Sequence, residues 1–279
     1  MTKRKLEELN LMDDFLANAM AMNKEVNVLC YKKILSVLLE KELGEISIKA
    51  QSMIQGDDTD LRGIRLDVEI NEKDKESEVE TVYDYEPHTK NDLDFPRHSR
   101  FYQAKVDGRY VRSGLRDFSK IPNLFVITIT NFDIFGENQM IYTFRNKCKE
   151  IPELEYNDGL TFLYFNTKGA KGGSESIHNM LKYIESTREE NEVDAATKEI
   201  AEYVKRVKRA PEVEAGFMTL GDRMDLDNAK AREEGREEER WSLIASMVQD
   251  GEITLEIAAK RLDISREEFK EKMNNYCTK

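Results

Sequence analysis

One segment of this chain, NLFVITITNFDIF at residues 123–135, is almost continuously apolar and β-branched. A strand of that composition is typical of the middle of a sheet, where other elements shield both of its faces from water. Helical patterns that could supply this cover occur over much of residues 11–50 and from His98 to Ser113. The sequence therefore predicts an α/β fold in which a mixed sheet is flanked by helices on both faces.

Further strands are predicted on either side of this segment. ISIKAQSMI (46–54) and GIRLDVEI (63–70) precede it, and apolar and polar residues alternate strictly in the second of them. VYDYEPH (82–88) follows a charged, turn-like stretch, NEKDKESE, and QMIYTFRN and LTFLYFN come later in the chain. The order helix, three strands, helix, strand fits the same α/β core.

Composition limits the kind of protein that the chain can be. Of the 279 residues, 39% are hydrophobic and 35% are charged, so a packed core is feasible beneath a heavily charged surface. The cysteines are scattered and lack metal-ligand spacing, which indicates a reducing compartment without disulfides or zinc. The N-terminus has no apolar signal core, and no apolar run approaches membrane-spanning length. We expect a cytoplasmic protein with no membrane partner.

Composition also changes along the chain. Residues 1–178 contain all the predicted strands, whereas residues 179–279 are predicted to be helical, with a charged linker (NAKAREEGREEERW) and a terminal helix pair. Ser265 is the expected N-cap of the last helix. That helix carries three glutamates that would repel phosphate. A dimer contact or another protein contact is therefore expected of the C-terminal region, and DNA reading is not.

Two acidic residues on neighbouring strands are the most informative functional feature. Asp67 lies in the strand at 63–70 and Glu86 lies in the strand at 82–88. Carboxylates held by adjacent strands can bind a hard divalent cation, which activates water and neutralises charge on a phosphodiester. A surface ion pair between Asp67 and Arg65 is the simpler alternative.

His88 shares a strand face with Glu86, and Pro87 stands between them. The imidazole could accept a proton from attacking water, stabilise phosphate charge as a cation, or bind a softer ion such as Mn²⁺. It could also mark an inactive remnant. Proline removes a backbone donor, so we expect an interrupted ladder at Pro87, or a strand end that leaves His88 on a loop.

The charge distribution favours local rather than general binding of nucleic acid. The net charge of -12 opposes nonspecific affinity for phosphate. Between Arg97 and Arg116, however, basic residues far outnumber acidic ones. The DNA-contacting candidates in this segment are Arg100, Lys105, Arg109 and Arg112. The alternative is an ordinary solvated helix face.

The segments RLDV, YDYEPH, RHSRFYQAKVDGRYVRSG and the apolar strand ending in NFDIF together resemble the PD-(D/E)XK nuclease family transposases, also called recombination-promoting nucleases. The opening MDDF, the IYTFRNKC strand, the FNTKG turn, FMTLGDR and the GREE linker extend the resemblance over nearly the whole chain. The resemblance implies a restriction-endonuclease-like core, Mg²⁺-dependent DNA cleavage and a bacterial, mobile-element setting.

Residue roles follow from the resemblance position by position. Asp67 matches the first metal-binding aspartate, Glu86 matches the acidic residue of the second motif, and the carbonyl of Pro87 matches a metal ligand. His88 stands where the motif carries lysine or, in this branch, glutamine. Gln103 matches a glutamine that supports catalysis. Arg100 and Tyr102 lie beside Gln103 as weaker candidates.

Two classes of function therefore compete. The first is a Mg²⁺-dependent DNA endonuclease, with Mn²⁺ as a possible substitute, in which Asp67, Glu86, His88 and Gln103 act in hydrolysis. The second is a catalytically silent nuclease-fold protein that binds DNA or a protein partner.

Overall fold

The computed structural model describes residues 4–54, 64–73, 80–92, 94–111 and 116–276. Its strands are β1 (Glu45–Ile54), β2 (Ile64–Lys73), β3 (Thr81–His88), β4 (Asn123–Thr130), β5 (Ile141–Phe144) and β6 (Leu160–Asn166). Its α-helices are α1 (Asp14–Met22), α2 (Asn27–Leu38), α3 (Phe95–Tyr110), α4 (Glu175–Glu185), α5 (Ala195–Lys208), α6 (Pro211–Gln249), α7 (Leu255–Leu262) and α8 (Arg266–Tyr276). Short 3-10 turns lie at Leu6–Glu8, Phe118–Lys120 and Glu189–Asn191.

The described strands form one six-stranded sheet in the order β1-β2-β3-β4-β6-β5. Antiparallel pairing joins β1 to β2, β2 to β3 and β5 to β6, whereas β3, β4 and β6 run parallel. The sheet is therefore mixed, and β4 lies inside it, as its apolar composition predicts. With helices on both faces of this sheet, the predicted α/β class is confirmed.

Two strand boundaries differ from the sequence-based expectation. β4 ends at Thr130, and the following NFDIF residues form a loop in which the Asp133 carboxylate accepts the Asn138 amide at 2.7 Å. β2 continues to Lys73, into the stretch NEKDKESE that was predicted to be a turn. The reason is Glu72, whose carboxylate accepts hydrogen bonds from the Tyr83 hydroxyl and from the Gly44 amide. These bonds hold a charged residue on the sheet.

One face of the sheet is covered by α1 and α2, and α4 and α5 pack against α2. The long side chains of α2 fill this layer, and the Tyr31 ring packs edge-on against Tyr85 of β3 with centroids 5.5 Å apart. Ile34 and Leu35 are fully buried beside them. Both the helix side and the sheet side of this layer are apolar, so the layer forms the main hydrophobic core of the first part of the chain.

The other face of the sheet is covered by α3. Residues at helical spacing, Phe101, Ala104, Gly108 and Val111, predict a buried stripe on this helix, and that prediction was wrong. Phe95, Ser99 and Val106 are buried, whereas Ala104 and Gly108, which were expected in the core, are exposed. The helix turns a partly polar side to the sheet because the sheet presents carboxylates there. Apolar spacing alone favours the wrong side of such a helix.

Contacts divide the chain into two compact units, Met1–Glu214 and Ala215–Lys279. Helices α4 and α5 belong to the first unit. The Lys208 ammonium donates to the Leu9 carbonyl at 2.7 Å, and the Thr187 amide donates to Asn10 Oδ1 at 3.0 Å. The boundary read from composition, at 178/179, lies inside α4, whereas the first compact unit continues to Glu214.

The second unit has a small core of its own, formed by Ile244, Ala258, Ala259 and Phe269. Ser265 Oγ accepts the Glu268 amide at 3.1 Å, so the predicted N-cap of the last helix is confirmed. In the described residues, no helix has the uninterrupted apolar length that a bilayer crossing requires.

Candidate active site

Asp67 and Glu86 lie where β2 and β3 separate. Backbone pairing between the two strands in the described residues ends at Val68 and Tyr85. Beyond that pair, the Asp67 amide donates to Glu86 Oε1 at 3.2 Å, so a side chain replaces the backbone partner. Pro87 follows directly and has no N–H for the ladder. The strands therefore part at the position where the two acidic residues meet.

A second acidic pair lies next to the first on the same sheet face. Glu69 of β2 is in register with Asp84 of β3, and both side chains are fully buried. Glu69 is compensated, because Arg109 from α3 lies 2.7 Å from Oε2 and Lys49 from β1 lies 3.1 Å from Oε1. Its charge is thus held inside the protein by two cations.

Asp84 is not compensated in this way. In the described part of the chain, no N–H or O–H donates to either of its carboxylate oxygens. The Glu86 carboxyl is its acidic neighbour, and a hydrogen bond between the two carboxyls requires a proton on one of them. Burial, with the negative charges of Glu86 and Asp67, raises the pKa of Asp84 well above its usual range. Two full negative charges on Asp84 and Glu86 are therefore disfavoured here unless a proton or another cation joins them.

Glu86 shares this environment. Burial raises the pKa of its carboxyl well above the usual range, and the Asp67 charge adds to the shift, while the Asp67 amide opposes it. Asp14, the first residue of α1, also contributes negative charge. Asp67 itself is only half-buried. The cluster is thus buried at Asp84 and Glu86 and reaches solvent at Asp67.

His88 lies at the end of the same strand face. β3 pairs with β4 through His88 and Thr130, so the histidine is on the strand and not on a loop. Its Nε2 lies 3.6 Å from Glu86 Oε2, which is too long for a hydrogen bond, and is buried without a bonding partner among the described residues. Burial lowers the pKa of the imidazole, although the charges of Asp67 and Asp14 oppose this.

The residues expected to bind a hard cation are few. No group of three or more His, Cys, Asp or Glu side chains in the described residues has the arrangement of a ready metal cage. The expected set is smaller, since it consists of the carboxylates of Asp67 and Glu86 and the Pro87 carbonyl. Mg²⁺ keeps several of its waters and commonly binds through one or two carboxylates. Uncompensated Asp84 provides a further reason for a cation to bind here.

The residues predicted to support catalysis or contact DNA are placed differently from one another. Gln103 donates a hydrogen bond to Asp107 and lines a cavity beside β5 and β6, and no described contact joins it to Asp67 or Glu86. Arg109 faces the sheet and pairs with Glu69. Arg100 is exposed on the outer side of α3, and Lys105 is half-buried on the same helix. Arg112 lies outside the described residues.

Several residues near the site were not identified from the sequence. The face pattern of β3 contains Asp84, but no signal in the sequence distinguishes it from an ordinary strand acid. Asp14 and His98 reach the site only through the packing of α1 and α3. The His98 ring lies 5.7 Å from the His88 ring and 4.2 Å from the Tyr102 ring. The alternative of an Asp67–Arg65 ion pair involves a side chain, that of Arg65, outside the described part.

No model of a known protein family, no curated protein and no solved structure matches this chain. The functional argument therefore depends on the carboxylate cluster and its surroundings.

Proposed function

We propose that this protein is a metal-dependent DNA endonuclease with a restriction-endonuclease-like core, of the PD-(D/E)XK transposase type. The observation that carries the proposal is the meeting of Asp67 and Glu86 at the point where β2 and β3 part, with the Asp67 amide 3.2 Å from Glu86 Oε1. A mixed sheet with these acids on adjacent strands supports the finer fold assignment.

The charge balance of the site supports a cation as the missing component. Asp84 and Glu86 are buried with raised pKa values, and Asp67 lies beside them. Mutual repulsion of this kind is relieved when a divalent cation binds between carboxylates. Glu69 shows the contrast, since the protein neutralises that buried charge with Arg109 and Lys49.

Each residue then has a role that its position supports. Asp67, Glu86 and the Pro87 carbonyl hold the cation, Mg²⁺ or Mn²⁺. When bound, the cation supplies charge neutralisation at the phosphodiester and a more acidic water. His88, with its Nε2 unbonded and close to Glu86, is placed to accept a proton from the attacking water. Arg100 and Lys105 are the described cations that can reach a DNA backbone near α3.

The test is cleavage of supercoiled plasmid by the full chain with Mg²⁺ or Mn²⁺. We expect nicking by the native protein and its loss in Asp67→Ala and Glu86→Gln. Glu155→Gln, an exposed acid in the loop before β6, serves as the control and should cleave normally. Isothermal titration with Mn²⁺ gives a separate readout, because the two site variants should lose heat of binding. Equal cleavage by native and Asp67→Ala proteins would contradict the proposal.

The second candidate is a catalytically silent protein with the same fold. It is favoured by His88, which stands where the resemblance calls for lysine or glutamine, and by the small donor set. This alternative predicts DNA binding without nicking, and with no difference between the native and Glu86→Gln proteins. The plasmid and titration experiments together separate the two functions.

A further inference from the structure

An aromatic cavity lies on the same sheet face as the carboxylates but at the opposite side of α3. Its volume is about 400 Å³, within the size range of small-ligand sites. Phe135, Phe144 and Tyr164 form its aromatic wall, with the Phe144 ring 5.0 Å from Phe135 and 5.7 Å from Tyr164. Phe144 is 44% exposed although it sits in a cluster of rings. One ring face therefore remains open to a planar ligand.

Two amide side chains stand in the wall of this cavity. Gln103 from α3 donates one N–H to Asp107, and Asn146 after β5 donates one N–H to Asp158 at 2.6 Å. These bonds fix the orientation of both amides. Each amide keeps its carbonyl oxygen and a second N–H for another partner. Paired donors and acceptors of this kind match the edge of a nucleobase.

A basic side chain contributes to the lining of the cavity. Arg100 lines it, and among the described residues no carboxylate pairs with this guanidinium. The stretch after β5 carries further exposed basic residues, Arg145, Lys147 and Lys149, close to Asn146 in the sequence. A ligand that combines a flat ring with a negative charge suits both parts of the site. Nucleotides have that combination, and stacking on aromatic rings is the usual way in which unpaired bases are held.

We propose that this cavity binds an unpaired nucleobase of single-stranded DNA, stacked on Phe144 with its phosphate at Arg100. The inference depends on the proposed function for the choice of DNA as the polymer. α3 connects the two sites, since Phe95 packs against His88 with ring centroids 5.2 Å apart and Pro96 lines the cavity. β6 lies two strands from β3, roughly 10 Å away. One bound DNA can therefore reach both sites.

The test uses the full native chain in EDTA, where metal-dependent cleavage does not interfere. Fluorescence anisotropy is measured with a labelled single-stranded oligonucleotide and with the duplex of the same sequence. We expect Phe144→Ala to weaken single-strand binding about 5- to 100-fold, the range that loss of one base stack produces. Phe144→Tyr should restore it, because the ring face is kept. Duplex binding should be unchanged in both variants.

Two matched controls remove the trivial explanations. Phe118→Ala removes a phenylalanine that is 63% exposed in another part of the first unit, and it should not change binding. Arg100→Gln should weaken binding and lower its salt dependence, whereas Arg97→Gln, which removes a cation already paired with Asp94, should have little effect.

Three results would overturn the inference. The first is equal single-strand binding by Phe144→Ala and Phe118→Ala proteins, and the second is equal weakening of single-strand and duplex binding by Phe144→Ala. The third is displacement of the oligonucleotide by a tryptophan-containing peptide at equal concentration, which would assign the cavity to another ligand.

The outcome is separable from that of the proposed function. If the protein binds single strands through Phe144 but does not nick plasmid, the nucleobase site is supported and the endonuclease proposal is contradicted. If the protein nicks plasmid but Phe144→Ala does not change its single-strand binding, the endonuclease proposal is supported and the nucleobase site is contradicted.

Discussion

Glu69 and Asp84 face each other across β2 and β3, and both are fully buried, yet the protein surrounds them differently. Glu69 accepts from Arg109, Lys49 and the Asn71 amide. Asp84 accepts from no described donor. Because an uncompensated buried carboxylate costs several kcal/mol, a folded protein retains one only where something else repays the cost. At the scale of single residues, Asp84 is therefore the observation that most supports the proposed cation site.

The contrast predicts stability changes of opposite sign. In EDTA at pH 7, Asp84→Asn should raise the free energy of unfolding by about 1–3 kcal/mol, because it removes the cost of burying a titratable carboxyl beside Glu86. Glu69→Gln should lower it by about 2–4 kcal/mol, because Arg109 loses its buried partner. Urea unfolding measures both. Destabilisation by Asp84→Asn would mean that its charge is neutralised in a way that these contacts do not show.

Glu72, at the end of β2, makes a pH-dependent contribution to the free energy of unfolding. Its bonds from the Tyr83 hydroxyl, the Gly44 amide and the Lys41 ammonium outweigh burial and lower the pKa of this carboxyl. A lowered folded-state pKa stabilises the protein above the unfolded value of about 4.3, and this stabilisation is lost as the pH falls through the folded value. Glu72→Gln should therefore cost about 1–3 kcal/mol at pH 7.

The measurement is urea unfolding of native and Glu72→Gln proteins from pH 7 to pH 3. The difference between them should be constant near neutrality and shrink below about pH 4.3. A difference that grows as the pH falls would contradict the assigned direction of the pKa shift.

At the scale of elements, close backbone approach fixes how the turn after β6 meets the strand β5. A side chain on Gly169 would collide with the backbone of Gln139 and Met140. These segments are also joined by hydrogen bonds, since the Asn166 amide donates to the Met140 carbonyl at 2.9 Å. The glycine of the FNTKG turn is therefore required by packing between backbones, not by an unusual dihedral angle.

Gly169→Ala should lower the free energy of unfolding by about 1–3 kcal/mol, the usual cost of overpacking. Gly108 is the matched control, because it lies in the exposed interior of α3 with open space around it. Gly108→Ala should stabilise the protein by about 0.5–1 kcal/mol. Thermal unfolding of the two variants tests this prediction. Similar shifts of the melting temperature in the same direction would contradict the explanation.

At the scale of the whole molecule, the chain forms two units that are joined in sequence through α6. The first unit needs residues 179–208, since Ile200, Val204 and Val207 of α5 are buried in it. A dimer contact through the C-terminal region stays a prediction. Removing only residues 215–279 is the way to test it, because a shorter chain would expose the core of the first unit.

A chain that ends at Glu214 should unfold cooperatively and keep its Mn²⁺ binding, because the carboxylate cluster lies wholly in the first unit. If the second unit mediates dimer formation, light scattering should show a dimer for the full chain and a monomer for the shortened one. An unchanged oligomeric state would contradict the assignment of the dimer contact to residues 215–279.

Much of the fold was predictable because strand patterns are local. The apolar run at β4, the alternation in β2 and the serine before α8 each report a local preference that tertiary packing did not override. The inward side of α3 was not predictable. Ser99 and Arg109 face the sheet there because they meet Tyr164 and Glu69, residues distant in the chain.

The sequence by itself determined the α/β class, the strand positions and the presence of Asp67 and Glu86 on successive strands. Only the tertiary structure decided that Asp84 has no donor among the described residues, that Asp14 and His98 reach the site, and that Arg109 pairs with Glu69. The physical reason is that compensation of a buried charge depends on which distant groups packing brings within a few ångströms. Local sequence patterns carry no information about those distances.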